Sequence, residues 1–520
     1  MRLLLLLPFI PYTLALEFPF KIPYFFNAKV RISEPSHRST TPTTPKVAII
    51  GAGAAGTSAA FWLSKAKERF GINVDIDIYE QSSYVGGRST VVYPYSDTTL
   101  PPLELGASIF VKANRNLWRA TDEFNLTRRD FRAEDDDNSE MGIWDGERIL
   151  VTVSDGWFDM VKLFWRYGFS PKKMQSIVDK MIERILVLYG HKPPQWDTVS
   201  YLSEVLGWTS LTGNTTEKFL SSQGISDAFA QEIVEGSTRV NYGQNIDGIH
   251  ALEGLCSMAT GGATGVKGGN FKIFEEFVTR SGANLLLNTA VTSIVPKGGS
   301  TRQWTVQSSL GSTDYQAVIL AAPFHSTGIA IPASLSSQIP EQPYVRLHVT
   351  LLTTTAPAPD PTYFALSPSS KVPRMVLTSY EGVRKGGKEP EFNSLSYHGH
   401  VRDGEWAVKI FSKEAISDEW LNKLFLGKVG WVYRKQWDAY PVLPPTTTFP
   451  PVKLDRGFFY VNAFEPFIST METETVASRN VVDLFLNEEY QLTLCGARLP
   501  STDDSATTEA GDDFVYGWDC

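Results

Sequence analysis

Apolar residues first gather in a short solid run, Val47-Ala48-Ile49-Ile50, which predicts a buried strand. Over 57–70 they fall at helical spacing, with Ala60, Leu63 and Ala66 on one face, and Gly71 stands where a helix end favours a left-handed residue. Over 73–79 they alternate as Val74, Ile76 and Ile78, the pattern of a second strand. The three segments make one βαβ unit. From Gly156 to Gly190 the pattern turns helical again, through Trp157, Phe158, Val161, Phe164 and Trp165, then Ile177, Met181, Ile185 and Leu188. These predict amphipathic helices of a second domain. Residues 284–295 and 303–308 read as a strand pair, and 315–323 as a buried strand entering a turn. The strand 458–461 and the long helix 472–486 close the series, while Pro-rich stretches at 357–361 and 441–451 read as loops.

Composition narrows this picture. A chain of 520 residues exceeds one ordinary core, so two interleaved domains are expected, and a net charge of -9 gives no reason to expect nucleic acid as a partner. Met1-Arg2 followed by Leu3 to Leu7 reads as a signal peptide (1–15) cleaved after Ala15, the alternative being an uncleaved anchor. No later apolar run of about 18 residues follows, so a soluble mature protein is expected. Residues 16–45 read as a flexible lead-in, and 501–520 as a mobile acidic tail. Secretory entry makes Asn125 and Asn214 candidate glycosylation sites, and the vacuole or lysosome or the cell exterior the destination. Of three cysteines, Cys495 and Cys520 are the suspected pair, against three free thiols.

The chemistry begins at the first turn. Gly51, Gly53 and Gly56, with Ala54 and Ala55 between, form G-x-G-x-x-G between a strand and a helix, letting backbone approach a pyrophosphate at the helix N-terminus. Glu80 follows at the spacing of a ribose-binding carboxylate. The segments Gly86-Gly87-Arg88 and Glu104-Leu105-Gly106-Ala107-Ser108 then resemble the flavin amine oxidase superfamily. There such segments line the FAD pyrophosphate and approach the flavin, so the cofactor implied is FAD, bound without a covalent link. Val291, Glu465, Ser469, Thr470 and Met471 are further cofactor-binding candidates, the last three at a second helix start that would favour charge on the flavin oxygens.

Five strings sharpen the resemblance: Gly142-Ile143-Trp144-Asp145-Gly146, Trp165-Arg166-Tyr167-Gly168, Arg239-Val240-Asn241-Tyr242-Gly243-Gln244, Gly268-Gly269-Asn270 and Ser469-Thr470-Met471-Glu472. In this order they resemble the prenylcysteine oxidase (prenylcysteine lyase) family over roughly residues 47–486. The resemblance implies oxidative cleavage of the farnesylcysteine or geranylgeranylcysteine thioether to cysteine, a prenyl aldehyde and hydrogen peroxide, with dioxygen as oxidant. Burying a farnesyl chain at about 0.8 kcal/mol per CH₂ calls for an apolar tunnel, whose expected source is the aromatic stretch 157–169, although such a stripe also suits ordinary core. Arg239, Asn241 and Tyr242 are candidates to orient substrate or flavin, or are structural. His325 is a candidate base, or a structural histidine beside a turn. Lys267 stands roughly where flavin amine oxidases place a lysine near the flavin, but the family carries an acid there. His398 and His400 would share a strand face, yet no third metal ligand is indicated, and no metal is expected.

The expected fold is therefore α/β: a Rossmann-type FAD-binding domain (46–135, 260–325 and 455–500) with a substrate domain of helices on a mixed β-sheet (136–259 and 326–454). A secreted flavin amine oxidase and a non-catalytic flavin- or lipid-binding protein are the rival functions, and peripheral contact with membrane lipid is an open expectation.

Overall fold

The computed structural model describes residues 44–130, 140–154, 157–298, 303–497 and 513–520, with the backbone alone for 157–160. The signal peptide, nearly all of the lead-in and the 501–512 part of the tail lie outside them.

The first strand, β1 (Lys46–Ile50), is the centre of a six-stranded sheet. It enters helix α1 (Ala54–Phe70) and returns as β2 (Asp75–Tyr79), parallel to β1. Asn284–Leu286 extends the sheet beyond β2, while Ala317–Leu320 and Phe458–Tyr460 extend it on the other side, all parallel. Lys453–Asp455 closes that edge antiparallel. Because the chain winds outward in both directions from β1, its C-terminal end is the switch point where doubly wound sheets bind ligands. Gly71 adopts φ 65° and caps α1 as the pattern predicts.

A seven-stranded sheet stands beside it, in the order Val429–Pro441, Tyr344–Thr354, Glu405–Ser412, Ser394–Arg402, Met375–Thr378, Met141–Trp144 and Ile149–Val153. It is antiparallel except where Met375–Thr378 runs parallel to Met141–Trp144, so it is mixed. The loop expected at 441 begins where a 13-residue strand ends. The helices that matter below are α2 (Trp157–Tyr167), α3 (Ser170–Leu186), α4 (Glu235–Tyr242), α5 (Ala251–Met258) and α6 (Met471–Tyr490).

The end of the chain departs from the expected mobile tail. Val515 and Tyr516 are buried, the Trp518 ring meets Phe61 at 5.0 Å, and Cys520 is joined to Cys495. The acidic run hides a closing cluster, Phe514-Val515-Tyr516 and Trp518, with enough apolar surface to dock.

Candidate active site

At the switch point Gly51 takes φ 108°, and a Cβ there would lie 2.5 Å from the Ala321 carbonyl, so only glycine fits. Helix α1 then starts with Gly53, Ala54 and Ala55, with no side-chain cap and no acid in its first turn. Gly87 faces Gly53 backbone to backbone, since a Cβ on Gly87 would come within 3.2 Å of the Gly53 Cα. The helix N-terminus thus stays bare, a cradle for an anion. The Gly86 N–H donates to the Ala52 carbonyl at 2.9 Å, tying the second glycine segment to the first. Buried Glu80 accepts from the Ala52 and Ser82 N–H groups at 2.9 and 2.7 Å, which fixes its carboxylate beside the cradle. The Thr289 N–H donates to the Glu80 carbonyl, and Val291, two residues on, is buried at the start of the next strand. Arg88 reaches across to Glu465 (2.5 Å) and to the Ala439 carbonyl (3.0 Å). An uncapped helix, opposed glycines and a fixed carboxylate fit a dinucleotide, so Gly51 to Gly56, Glu80 and Gly86 to Arg88 would hold FAD.

Gly106-Ala107-Ser108 is held from two sides. Ala107 adopts φ 45°, unusual outside glycine, and the Asn270 side-chain amide donates to its carbonyl at 2.8 Å. The Asn270 N–H donates to the Glu104 carboxyl at 2.7 Å. From the mixed sheet, Lys409 donates to the Ser108 hydroxyl (2.8 Å) and the Glu104 carbonyl (3.2 Å). Burial raises the Glu104 carboxyl and lowers the Lys409 ammonium from their ordinary values. The Trp437 ring lies over Gly106, and a Cβ there would touch it at 2.9 Å. Around this segment Leu103, Leu105, Leu347, Val349, Leu351 and Phe411 form one apolar cluster.

At the second helix start, Thr470 and Thr473 cap α6 reciprocally, so part of its N-terminal donor set is satisfied internally. The Ser469 N–H donates to Glu253 of α5 at 3.1 Å. Met471 opens α6, and Glu465 accepts from the Tyr344 hydroxyl at 2.6 Å and the Asn462 amide at 3.1 Å.

Arg239 is buried, and its guanidinium donates to Thr378, Asn245 and Asn393 at 2.8, 2.7 and 3.1 Å. It braces α4 against the mixed sheet. Asn241 donates to the Ser257 carbonyl, and Gln244 bonds Pro441 and Leu443, so this string is a dock between helices and sheet. Tyr242 turns inward to Glu253, whose carboxyl burial pushes up to about 8. His325 stands apart, exposed, with its ring nitrogen against the Ile339 carbonyl at 2.9 Å.

Comparison with known proteins now decides the family. Residues 150–494 match the prenylcysteine lyase family, and residues 49–124 match an NAD(P)-binding Rossmann-like domain. A farnesylcysteine lyase of Arabidopsis thaliana is 30% identical over 460 residues, covering 85% of this chain and 88% of that one. The chain belongs to the prenylcysteine lyase family. A prenylcysteine oxidase 1 of Homo sapiens is 27% identical over 457 residues, 84% of this chain and 87% of that one. Among solved structures, the cyclohexylamine oxidase of Brevibacterium oxydans is similar in fold with a TM-score of 0.56, at 14% identity over 86% of this chain and 99% of that one. A putrescine oxidase bound to putrescine gives 0.56 at 16% identity, over 85% and 98%.

This member of the prenylcysteine lyase family corrects several expectations. Val161, Phe164, Trp165 and Phe169 face outward and line no tunnel. Among the described side chains of α2, Tyr167 is buried and Leu163 partly so, a facing that periodicity alone does not orient. A bulge between Tyr397 and His400, with Gly399 at φ 89°, breaks the alternation that would pair the two histidines. His398 meets Ser396 at 2.8 Å and His400 meets the Trp406 ring, and no group of three metal-ligating side chains occurs among the described residues. Lys267 is exposed on a turn. Asn125 and Asn214 are both exposed, as glycosylation would require. Lys409, Asn270 and Glu253 had no place among the candidates. Lys409 left a readable trace, a lone charge inside Ala407-Val408-Lys409-Ile410-Phe411.

Proposed function

We propose that this protein cleaves the thioether of a prenylcysteine such as farnesylcysteine or geranylgeranylcysteine, consuming water and dioxygen and releasing cysteine, a prenyl aldehyde and hydrogen peroxide. Family membership over 150–494 carries the reading. The apolar cluster beside Gly106 to Ser108 supports it. FAD, which Gly51 to Gly56, Glu80 and Gly86 to Arg88 would hold, would supply a hydride acceptor for the carbon between sulfur and alkene, with dioxygen as the final oxidant. The chain's own work is positional. Leu347, Val349, Leu351 and Phe411 make the surroundings of this segment apolar, and the Trp437 ring lies against Gly106. Asn270 and Lys409 fix the Ala107 carbonyl and the Ser108 hydroxyl at the reacting end. Water then adds to the oxidised carbon, and the hemithioacetal collapses with the proton passing to the departing thiolate. Buried Lys409, donating to the Ser108 hydroxyl and the Glu104 carbonyl, acts here as a positioning residue.

The secretory pathway, ending in the vacuole or lysosome or outside the cell, is part of the proposal. The leader-like Met1 to Ala15 and the Cys495–Cys520 bond support it. Farnesylcysteine added to the FAD-loaded protein under air is expected to give free thiol and peroxide in equal amounts. Turnover of amines with no thiol release would transfer the assignment to an amine oxidase, and flavin binding without any turnover would leave a binding protein.

A further inference from the structure

Four large apolar side chains are exposed within nine residues at the α2–α3 turn: Val161 (40%), Phe164 (52%), Trp165 (83%) and Phe169 (66%). The Phe164 and Phe169 rings meet edge to face at 5.4 Å, so the patch is continuous across the turn. Its underside is fixed. Arg166 makes a two-pronged bond to Glu232, the Tyr167 hydroxyl donates to the same carboxylate at 2.6 Å, and Ser170 joins Ser226. The aromatic face is therefore anchored from beneath by these hydrogen bonds.

Charge singles out its occupant. Between 161 and 173 stand Lys162, Arg166, Lys172 and Lys173 and no acid, in a chain whose net charge is -9. With Arg166 matched by Glu232, the exposed Lys172 and Lys173 follow the rings in the chain. A second copy docking on the same face by two-fold symmetry would set lysines against lysines. An anionic bilayer surface matches both halves of the pattern, since tryptophan and phenylalanine enter the interface and lysines meet the headgroups. No described helix is long and apolar enough to cross a membrane, so contact here would be peripheral.

We infer that the α2–α3 turn, with Phe164, Trp165 and Phe169 at its tip and Lys172 and Lys173 beside it, is a docking face for anionic membrane lipid. α3 rests on α5, and α5 carries Glu253, which holds Ser469 at the start of α6. The bilayer would thus lie against the helical layer that backs the site. The purpose, collecting an amphiphilic substrate from the membrane, rests on the proposed function; the binding itself does not.

The test is flotation of the full-length FAD-loaded protein with vesicles, without substrate. Binding to phosphatidylcholine vesicles containing phosphatidylserine is expected to exceed binding to phosphatidylcholine alone by about tenfold. Trp165→Ser with Phe169→Ser should lower it by at least about tenfold. Lys172→Glu with Lys173→Glu should remove the preference for phosphatidylserine, with unchanged thiol release from detergent-dispersed farnesylcysteine. Equal flotation of wild type and either variant would overturn the assignment, as would no flotation at all. So would a wild-type dimer in light scattering that the aromatic variant converts to monomer, which would make the face a self-association surface. Should the aromatic variant misfold, the lysine variant decides alone. Loss of turnover with intact flotation would count against the proposed function only.

Discussion

Glu253 is a carboxylic acid enclosed by α5, α4 and the start of α6, facing Tyr242, the Cys256 thiol, the Ser469 N–H and, further off, Glu465. Burial pushes its carboxyl up to about 8, so at neutral pH it stays protonated in the fold, whereas an unfolded chain releases that proton near 4.5. Between those values the folded state binds one proton more than the unfolded state, and stability falls as pH rises. Glu253→Gln keeps the neutral shape, so between pH 5 and about 8 its melting temperature should decline less steeply than that of wild type. Parallel melting curves for the two proteins would show that Glu253 is ionised in the fold. Glu104 and Asp483, raised by burial in the same sense, and His250, lowered to about 4, act in both proteins alike and cancel in the comparison. Sequence signals reach this scale only where backbone is involved. Gly51 and Gly71 were readable because their conformations suit glycine. Glu253 was not, because its meaning depends on burial by elements distant in the chain. Arg239 shows the converse: its string marks the family, yet its three partners are neutral side chains that lock a helix to a sheet.

At the level of elements, β1, α1 and β2 follow the hydrophobic pattern almost residue for residue, because each period has one buried solution. α1 also keeps what an isolated helix would avoid, an uncapped N-terminus without an acid. Filling that gap should have opposite effects on the empty and loaded protein. Ala54→Asp places a carboxylate on the helix dipole, which is worth about 0.3–1 kcal/mol of stability. The same charge repels a pyrophosphate in the cradle. The FAD-free protein should melt slightly higher, while FAD affinity measured by flavin fluorescence should fall at least about tenfold. Undiminished affinity would move the pyrophosphate away from α1. The mixed sheet was less legible than the βαβ unit. Its strands come from 141–153 and 344–441, and the pairing of Met375–Thr378 with Met141–Trp144 spans a separation that local patterning does not encode. α2 was legible as a helix but not in its facing, since a stripe of Trp and Phe suits core, tunnel and lipid surface equally until the neighbours are known.

Across the whole molecule, the last residues return to the first helix. Arg69, near the end of α1, donates to the Leu494 carbonyl at 2.8 Å and the Gly517 carbonyl at 2.6 Å. Trp518 closes on Phe61, Trp62 and Phe277, and Arg479 of α6 donates to the Tyr516 carbonyl at 2.9 Å. The C-terminus is thus a clasp over α1 and α6, the two helices whose starts flank the candidate cofactor site. Cys495–Cys520 joins residues 25 apart, and closing a loop of that size in the unfolded chain corresponds to about 3.5 kcal/mol in the chain-entropy description. Two changes separate the covalent part from the packed part. Cys520→Ala removes the bond alone and should lower the melting temperature by several degrees while leaving FAD bound. Trp518→Ala with the bond intact withdraws a ring shared by Phe61, Trp62 and Phe277, and should cost as much again or more, as large core truncations do. If α1 is held in place by this clasp, the Trp518 variant should also release FAD at lower denaturant concentration than it loses far-ultraviolet ellipticity. Coincident loss of both signals would mean that the clasp stabilises the whole fold at once and has no particular hold on the cofactor helix.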